Sequence, residues 1–291
     1  MQPRSSTTSP PATEAPPAAT AGALELTAIR KQFYQRRGKE WDALLVLDGI
    51  TFSIAPQEFV SVLGPSGCGK TTLARIVAGI ESADEGQILI DGQPAGPPGA
   101  NRCLVFQNYG LFPWRTVLDN VCLGLEIRGL GRAEREHRAR TYIDLVGLTG
   151  FEKHFPHQIS GGMQQRTGLA RALSTEPRLL LMDEPFGAVD AQMRTLLQDE
   201  LLRICAFTRT SVLFVTHSVE EAIYLSDRIL IFSARPGRLV GEHAVDLPKP
   251  RFDFDARSDP RFAEIRREVT HLLAERTDYY DRAHAAAVHG D

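Results

Sequence analysis

Long apolar segments are absent from this sequence. Its 291 residues contain no run of about 18 apolar side chains, the length that a helix needs to cross a bilayer. We therefore expect no membrane-spanning helix in this chain. If the protein works at a membrane, a partner chain has to supply the span.

An excess of positive charge is also absent. The formal net charge is −3 and the isoelectric point is about 6.3. The electrostatic footprint of a nucleic-acid-binding protein is therefore missing, and we expect no nucleic-acid partner. Lysine is scarce, with five residues in the whole chain.

Cysteine is present but shows no paired spacing. The four cysteines form neither a CxxC pair nor a metal-ligand pattern, and they are Cys68, Cys103, Cys122 and Cys205. This pattern is typical of reduced thiols in a cytosolic protein. Cys68 lies inside a glycine-rich loop, where its thiol could be reactive. A small, tolerated loop residue is the interpretation that we favour.

The two ends of the chain differ from the rest. Residues 1–22 are rich in Ser, Thr, Pro and Ala, so we predict a disordered tail, and it lacks the apolar stretch of a signal peptide. Near the other end, Asp259 and Pro260 can start a helix as N-cap and first-turn residue. We predict a helical extension over residues 247–291 that packs on the preceding domain. A role in regulating that domain is the alternative.

Between the ends, short apolar runs alternate with helical patterns. Strand candidates are residues 58–63, 87–90, 103–106, 179–182, 211–216 and 228–232. Alternation of strand, loop and helix predicts an α/β sheet. Residues 116–148 interrupt it with charge-rich helical sequence, which we interpret as a helical insertion with a solvated face.

The first motif that predicts a ligand-binding site is residues 64–72, which read GPSGCGKTT. They follow a predicted strand and precede a predicted helix, as a phosphate-binding loop requires. Glycines let the backbone N–H groups turn towards phosphate oxygens, and the helix N-terminus adds favourable potential. We expect Lys70 to reach the β- and γ-phosphates and the Thr71 hydroxyl to bind Mg²⁺.

Two further motifs carry polar groups at the ends of elements. The apolar run 179–182 ends in Asp183 and Glu184, which could hold Mg²⁺ and polarise an attacking water. Alone, two acids at that place are usually a solvated strand end. Ser160 followed by Gly161 and Gly162 opens a predicted helix over residues 163–173 and forms a second possible anion site. Alone, that motif is only a capped helix.

These motifs, in this order, resemble those of ATP-binding cassette proteins. The resemblance covers about residues 23–245 and depends on residues 64–72, Gln107, 160–166, 179–184, 187–190 and His217. It implies an α/β fold with a P-loop NTPase core of the RecA type, an antiparallel β subdomain and a helical subdomain at about residues 108–165. The nucleotide-binding domain would span residues 23–246.

The resemblance also implies ATP and Mg²⁺ as cofactors and assigns roles to single residues. Catalytic roles fall on Glu184, His217 and Gln107, and the metal ligands would be Thr71, Gln107 and Asp183. Phe33 would stack on adenine, with Tyr34 as the alternative. The nucleotide-binding residues would be Phe33, Gly64, Pro65, Ser66, Gly67, Cys68, Gly69, Lys70, Thr71, Thr72, Ser160, Gly161, Gly162, Gln164 and Asp190.

The same resemblance implies an assembly. Two cassettes would close head to tail around two ATP molecules, so that residues 160–162 of one chain face Lys70 and Thr71 of the other. Asp190 would couple the two sites. The departures from the family pattern are mild: Ile159 and Val189 replace leucines, Gln57 stands where glycine often occurs, and residues 35–43 lengthen the first hairpin.

The position in the family follows from other segments. Residues 109–114, YGLFPW, resemble the region of transporter ATPases that docks the membrane permease, and residues 182–186, 236–238 and 257–260 resemble the nitrate, sulfonate and taurine importer branch. This implies a peripheral ATPase on the cytoplasmic face of the inner membrane, with a permease as partner and a periplasmic binding protein delivering the solute. The alternative is a soluble cassette ATPase of DNA repair or translation, but the long coiled coil of the first and the second cassette of the other are missing.

Overall fold

The computed structural model describes residues 22–37, 40–106, 109–187 and 190–288. Ten strands occur in this part of the chain: β1 Leu24–Arg37, β2 Glu40–Ile54, β3 Phe59–Leu63, β4 Glu85–Ile90, β5 Gln93–Pro94, β6 Arg102–Val105, β7 Leu179–Asp183, β8 Ser211–Thr216, β9 Arg228–Phe232 and β10 Leu239–Ala244. Seven α-helices join them: α1 Lys70–Ala78, α2 Val117–Ile127, α3 Arg132–Leu145, α4 Gly161–Leu173, α5 Ala191–Thr208, α6 Val219–Leu225 and α7 Pro260–Val288. The predicted disorder of residues 1–22 concerns residues that, except for Gly22, lie outside the described part.

Two sheets divide the strands. A four-stranded antiparallel sheet has the order β2-β1-β4-β5, and a six-stranded sheet has the order β10-β9-β3-β8-β7-β6. In the larger sheet, all neighbours from β9 to β6 are parallel, and only β10 is antiparallel. The carboxyl ends of β3, β8 and β7 therefore meet at one edge, where ligands bind in open α/β sheets.

Each central strand is buried on both faces. In β7, Leu180 and Met182 lie in one hydrophobic cluster with helices α2 to α7, whereas Leu179 and Leu181 lie in a second cluster with α1 and the antiparallel sheet. Successive side chains of a strand point to opposite faces, so a continuous apolar run is what a doubly covered parallel strand requires. This explains why residues 179–182 show no alternation of apolar and polar residues.

The predicted helical insertion consists of α2 and α3, which pack against each other and against α4. Helix α3 has a predominantly charged surface, with ion pairs one turn apart between Arg132 and Glu136 and between Arg138 and Glu134. Only its Ala139, Tyr142 and Ile143 are buried. The charges thus lie on a solvated face, as the sequence predicts. None of the helices in the described residues combines the length and apolarity that crossing a bilayer requires.

The C-terminal segment shares the core of the preceding domain. Phe262, Ile265 and Val269 of α7 are buried in the same cluster as Ala222 and Ile223 of α6. Asp259 caps α7, because its carboxylate accepts the backbone N–H of Arg261 at 2.9 Å. The described part of the extension is therefore packed onto the helix that follows His217.

We predict that Phe262→Ala destabilises the whole domain, because Phe262 is 4% exposed and its removal leaves a cavity in a shared core. The expected loss is about 3 kcal/mol in the free energy of unfolding, measured by urea denaturation. Phe254→Ala is the matched control, since Phe254 is 39% exposed. A loss no larger than that of the control would contradict the shared core.

Gln57 adopts a left-handed backbone conformation with φ 64°. Its backbone N–H donates to Ser211 Oγ at 2.8 Å, which fixes the turn between β2 and β3. The side chain is exposed. Glutamine therefore carries steric strain at a position where glycine carries none.

We predict that Gln57→Gly stabilises the protein by about 1 kcal/mol, because it removes the left-handed strain and keeps the backbone hydrogen bond. Thermal unfolding measures the effect. Gln57→Ala is the control, since alanine keeps the Cβ and the strain. Equal stability of the two variants would show that the left-handed conformation of residue 57 does not lower the stability of the protein.

Candidate nucleotide-binding site

The predicted phosphate-binding loop lies between β3 and α1. Gly67 and Gly69 have φ of 79° and 103°, in the left-handed region. A Cβ on Gly69 would lie 2.7 Å from Leu47 Cδ2, so no larger residue fits. Gly69 caps α1 without any side-chain hydrogen bond, which leaves the N–H groups of the first turn available to a ligand. This arrangement forms an anion-binding site at a helix N-terminus.

The ammonium group of Lys70 lies within this loop. Lys70 is 5% exposed, and Nζ donates to the carbonyl oxygens of Gly64 at 2.7 Å and Pro65 at 2.9 Å. No carboxylate neutralises it at hydrogen-bond distance among the described residues. A buried cation that is held by neutral carbonyls favours an anionic ligand.

The Cys68 thiol is buried in the same loop. Burial raises its pKa, and the nearby ammonium of Lys70 opposes that shift. The neutral thiol is therefore favoured, and a neutral thiol is a poor nucleophile. This agrees with the interpretation of Cys68 as a small loop residue.

A cleft of about 330 Å³ opens in front of the loop. One wall is formed by loop residues and the start of α1, and the opposite wall comes from the antiparallel sheet through Phe33, Leu44 and Val46. Tyr34, the alternative to Phe33, does not line the cleft and is 66% exposed, because neighbouring strand residues face opposite ways. The cleft thus joins an anion-binding end to an apolar, aromatic end.

Arg235 also lines the cleft and was not predicted from the sequence. Its Nε donates to the carbonyl of Gly67 at 3.1 Å, so a second cation borders the loop. The turn that carries it is fixed by backbone hydrogen bonds from Gly237 to Val46 and from Asp48 to Gly237. The available signal was its position just beyond β9, at the carboxyl edge of the parallel sheet.

Thr71 and Asp183 form the candidate metal site. The Thr71 hydroxyl donates to Asp183 Oδ1 at 3.0 Å. Burial raises the pKa of the Asp183 carboxyl, Thr71 opposes the shift, and the neighbouring Glu184 adds to it. A half-buried carboxylate beside a hydroxyl fits Mg²⁺, which is typically bound through one or two carboxylates together with substrate phosphates. Gln107, the third predicted ligand, lies outside the described residues.

Glu184 and His217 meet at the carboxyl ends of β7 and β8. His217 Nδ1 lies 3.1 Å from Glu184 Oε2. Glu184 has a φ of 46°, an unfavourable value for a residue with a side chain, and its N–H donates to Val215 O at 3.0 Å. Backbone strain of this kind often occurs at functional sites, where it fixes the direction of a side chain. Glu184 also lines the cleft.

Residues 160–162 do not line this cleft. Ser160 caps α4, accepting the N–H of Met163 at 3.3 Å, and both Ser160 and Gly161 are exposed. Gln164 instead supports the preceding turn, since its Nε2 donates to Pro156 O and Ile159 O. Asp190, which is exposed, caps α5 through the N–H of Met193. The second predicted anion site is therefore open to solvent at a distance from the first.

A second cavity, of about 320 Å³, lies near the amino ends of β3 and β8. Its walls are mainly apolar and include Phe59, Leu202 and Phe252. Neither a glycine-rich loop nor the first turn of an α-helix is among the described residues that border it. The cleft at the carboxyl edge is therefore the candidate nucleotide site.

Comparison with known proteins agrees with this geometry. The family model described as ABC transporter matches residues 47–187. An uncharacterised ABC transporter ATP-binding protein of Methanocaldococcus jannaschii is 50% identical over 227 residues, or 78% of this chain and 84% of that protein. A taurine import ATP-binding protein, TauB, of Burkholderia thailandensis is 44% identical, covering 84% of this chain and 95% of that protein. Among solved structures, a dimeric ATP-binding cassette in a post-hydrolysis state with ADP and phosphate matches with a TM-score of 0.66 and 29% identity, over 76% of this chain and 98% of that chain.

We predict that Lys70→Ala weakens ATP binding by about 10- to 100-fold, because a hydrogen bond from a charged donor to phosphate is lost. Titration with a fluorescent ATP analogue measures the affinity. Lys153→Ala is the control, since Lys153 is exposed and outside the cleft. Unchanged affinity of the Lys70 variant would remove the loop from its assigned role.

Proposed function

We propose that this chain powers the import of a small anion through a separate permease. The premise is that the chain belongs to the ABC transporter family and is an ATP-hydrolysing cassette. The solute class is that of nitrate, aliphatic sulfonates or taurine. The observation that carries the proposal is the 44% identity to a taurine import ATP-binding protein over 84% of the chain. Residues 109–114, with Trp114 70% exposed, provide an aromatic surface for the permease.

A homodimer, or a pair with a related cassette, completes the site in this proposal. The open anion site at Ser160 and Gly161 does not reach the cleft of its own chain. In a head-to-tail pair it would face the phosphates held by Lys70 of the partner subunit. ATP then favours the closed pair, because its contacts to residues 160–162 exist only in that state.

Within the closed site, the residues divide the work. Glu184 would orient and polarise the attacking water. His217 would hold Glu184 in place and contact the γ-phosphate. Gln107 would also contact the γ-phosphate. Thr71 and Asp183 would hold Mg²⁺, which supplies charge neutralisation on the phosphates when it is bound. Phe33 would stack on the adenine. These roles follow the resemblance, and all of these residues except Gln107 lie in the described part of the chain.

We predict that Glu184→Gln lowers the rate of ATP hydrolysis by about 10²- to 10⁴-fold and leaves ATP affinity nearly unchanged, as expected for a positioned base. Phosphate release and analogue binding measure the two quantities. Glu220→Gln is the control, because Glu220 is 62% exposed and pairs with Arg266.

Adding His217→Ala to the Glu184 variant should cost less than His217→Ala costs alone. The two side chains are in contact at 3.1 Å and act as a unit, so their effects are not additive. Full additivity, or near-normal turnover of the Glu184 variant, would contradict the assignment.

The importer proposal is tested by purifying the tagged chain from detergent-solubilised membranes and identifying what accompanies it. A polytopic permease would support a peripheral protein at the cytoplasmic face of the inner membrane. Solute uptake assays with taurine, alkanesulfonates and nitrate, and with a periplasmic binding protein, would then narrow the substrate. Recovery with ribosomes or DNA would support the soluble cassette ATPase instead.

A further inference from the structure

The aromatic turn, residues 109–114, is attached to helix α4. Arg171 of α4 donates from Nη2 to the carbonyl of Tyr109 at 2.5 Å and from Nη1 to the carbonyl of Gly110 at 2.6 Å. Both turn residues have positive φ, 54° and 55°, and this backbone shape brings two successive carbonyls to one guanidinium. A fork of two hydrogen bonds fixes orientation as well as distance.

The contact between the turn and the helix is also close in space. Gly168 lies one turn before Arg171, and a Cβ there would be 3.4 Å from Tyr109 Cβ. Tyr109 itself is 8% exposed. Because Gly168 has no side chain, helix α4 lies close to Tyr109, and Arg171 supplies two hydrogen-bond donors beside it.

The other end of the turn is held by α2. Asn120 is fully buried, accepts the N–H of Phe112 at 2.8 Å and donates to the carbonyls of Arg115 and Thr116, both at 3.0 Å. Helix α2 packs against α4. Helices α2, α3 and α4 pack on one another and form a helical layer. The turn is thus anchored to this helical layer at both ends, while the Trp114 side chain is 70% exposed.

Helix α4 begins at the second anion site. Ser160, its N-cap, lies eleven residues before Arg171, or about 16 Å along a helix axis. An α-helix moves as a rigid element over this length. A ligand that binds at the N-cap can therefore move Arg171 and the carbonyls that it holds.

We propose that Arg171 is a positioning residue that couples ATP binding at residues 160–162 to the aromatic turn, so that movement of α4 moves Trp114. This inference depends on the proposed closure of two cassettes around ATP. Arg171 contacts neither the cleft nor the reacting groups; it acts through the turn. Without it, the Tyr109 end of the turn would lose its hydrogen bonds to α4, and only the Asn120 contacts to α2 would hold the turn.

Trp114 itself reports the movement. The chain has two tryptophans, Trp41 and Trp114, so Trp41→Phe leaves Trp114 as the single emitter. Glu184→Gln in the same chain slows hydrolysis and retains ATP. The measurement is Trp114 emission and its quenching by acrylamide, with and without ATP and Mg²⁺, alongside ATP affinity and size-exclusion chromatography.

In this background ATP should change Trp114 emission, and Arg171→Gln should remove most of that change, because both hydrogen bonds between α4 and the turn carbonyls are lost. ATP affinity and ATP-dependent dimerisation should stay the same. Arg171→Lys should fall between, since an ammonium keeps the positive charge but lacks the planar fork of donors that a guanidinium presents. Arg128→Gln is the matched control, because Arg128 donates to the carbonyl of Thr175 at 2.9 Å in the same helical layer, away from the turn.

The two levels of failure are separable. A dimer whose Trp114 does not respond to ATP, or responds equally with and without Arg171, would overturn the positioning role only. Absence of an ATP-dependent dimer would overturn the proposed assembly and the coupling with it. If Arg171→Gln does not fold, Arg171→Met decides, because that side chain keeps its length but has no donor, and a full response in it would overturn the proposal.

Discussion

The parallel pairing of β3, β8 and β7 determines where the reacting groups of this molecule lie. Each strand ends at the same edge of the sheet, so the loop after β3, the acids after β7 and His217 after β8 come together from positions far apart in the chain. Close packing on both faces keeps the strands in this register, because a slip of one residue would place side chains of different size and shape against each covering layer. The positive φ of Glu184 shows that backbone strain is tolerated at this edge.

At that edge, buried charged groups of the protein are placed where a bound ligand can neutralise them. Lys70 is buried against neutral carbonyls and Arg235 borders the same loop, whereas Asp183 is a half-buried carboxyl whose pKa is raised by burial. A polyanion satisfies the two cations, and a divalent cation satisfies the carboxylate. The cleft therefore suits a nucleotide, and in the proposed function Mg²⁺ would accompany it at Thr71 and Asp183.

The helical layer serves a different purpose from the sheet. It carries the second anion site at Ser160, and it holds the aromatic turn through Arg171 and Asn120. Both features lie on the surface of one chain and neither reaches its own cleft. In the proposed assembly, a partner that closes on Ser160 would contact the same layer of helices that holds the aromatic turn.

Local sequence was sufficient for the loop at residues 64–72, the strand that ends at Asp183, the cap at Ser160 and the long first hairpin, because glycine, capping and apolar patterns act over a few residues. It was insufficient for Arg235 at the cleft and for the hydrogen bonds of Arg171 to Tyr109 and Gly110. Those contacts join residues that are separated by tens to about two hundred positions, and nothing in the local pattern specifies which distant carbonyl or ring a side chain will meet. The sequence by itself determined which chemical groups this protein has and the order of its elements, whereas the tertiary structure decided which of those groups share a site, because only packing of the sheets and helices sets distances across the chain.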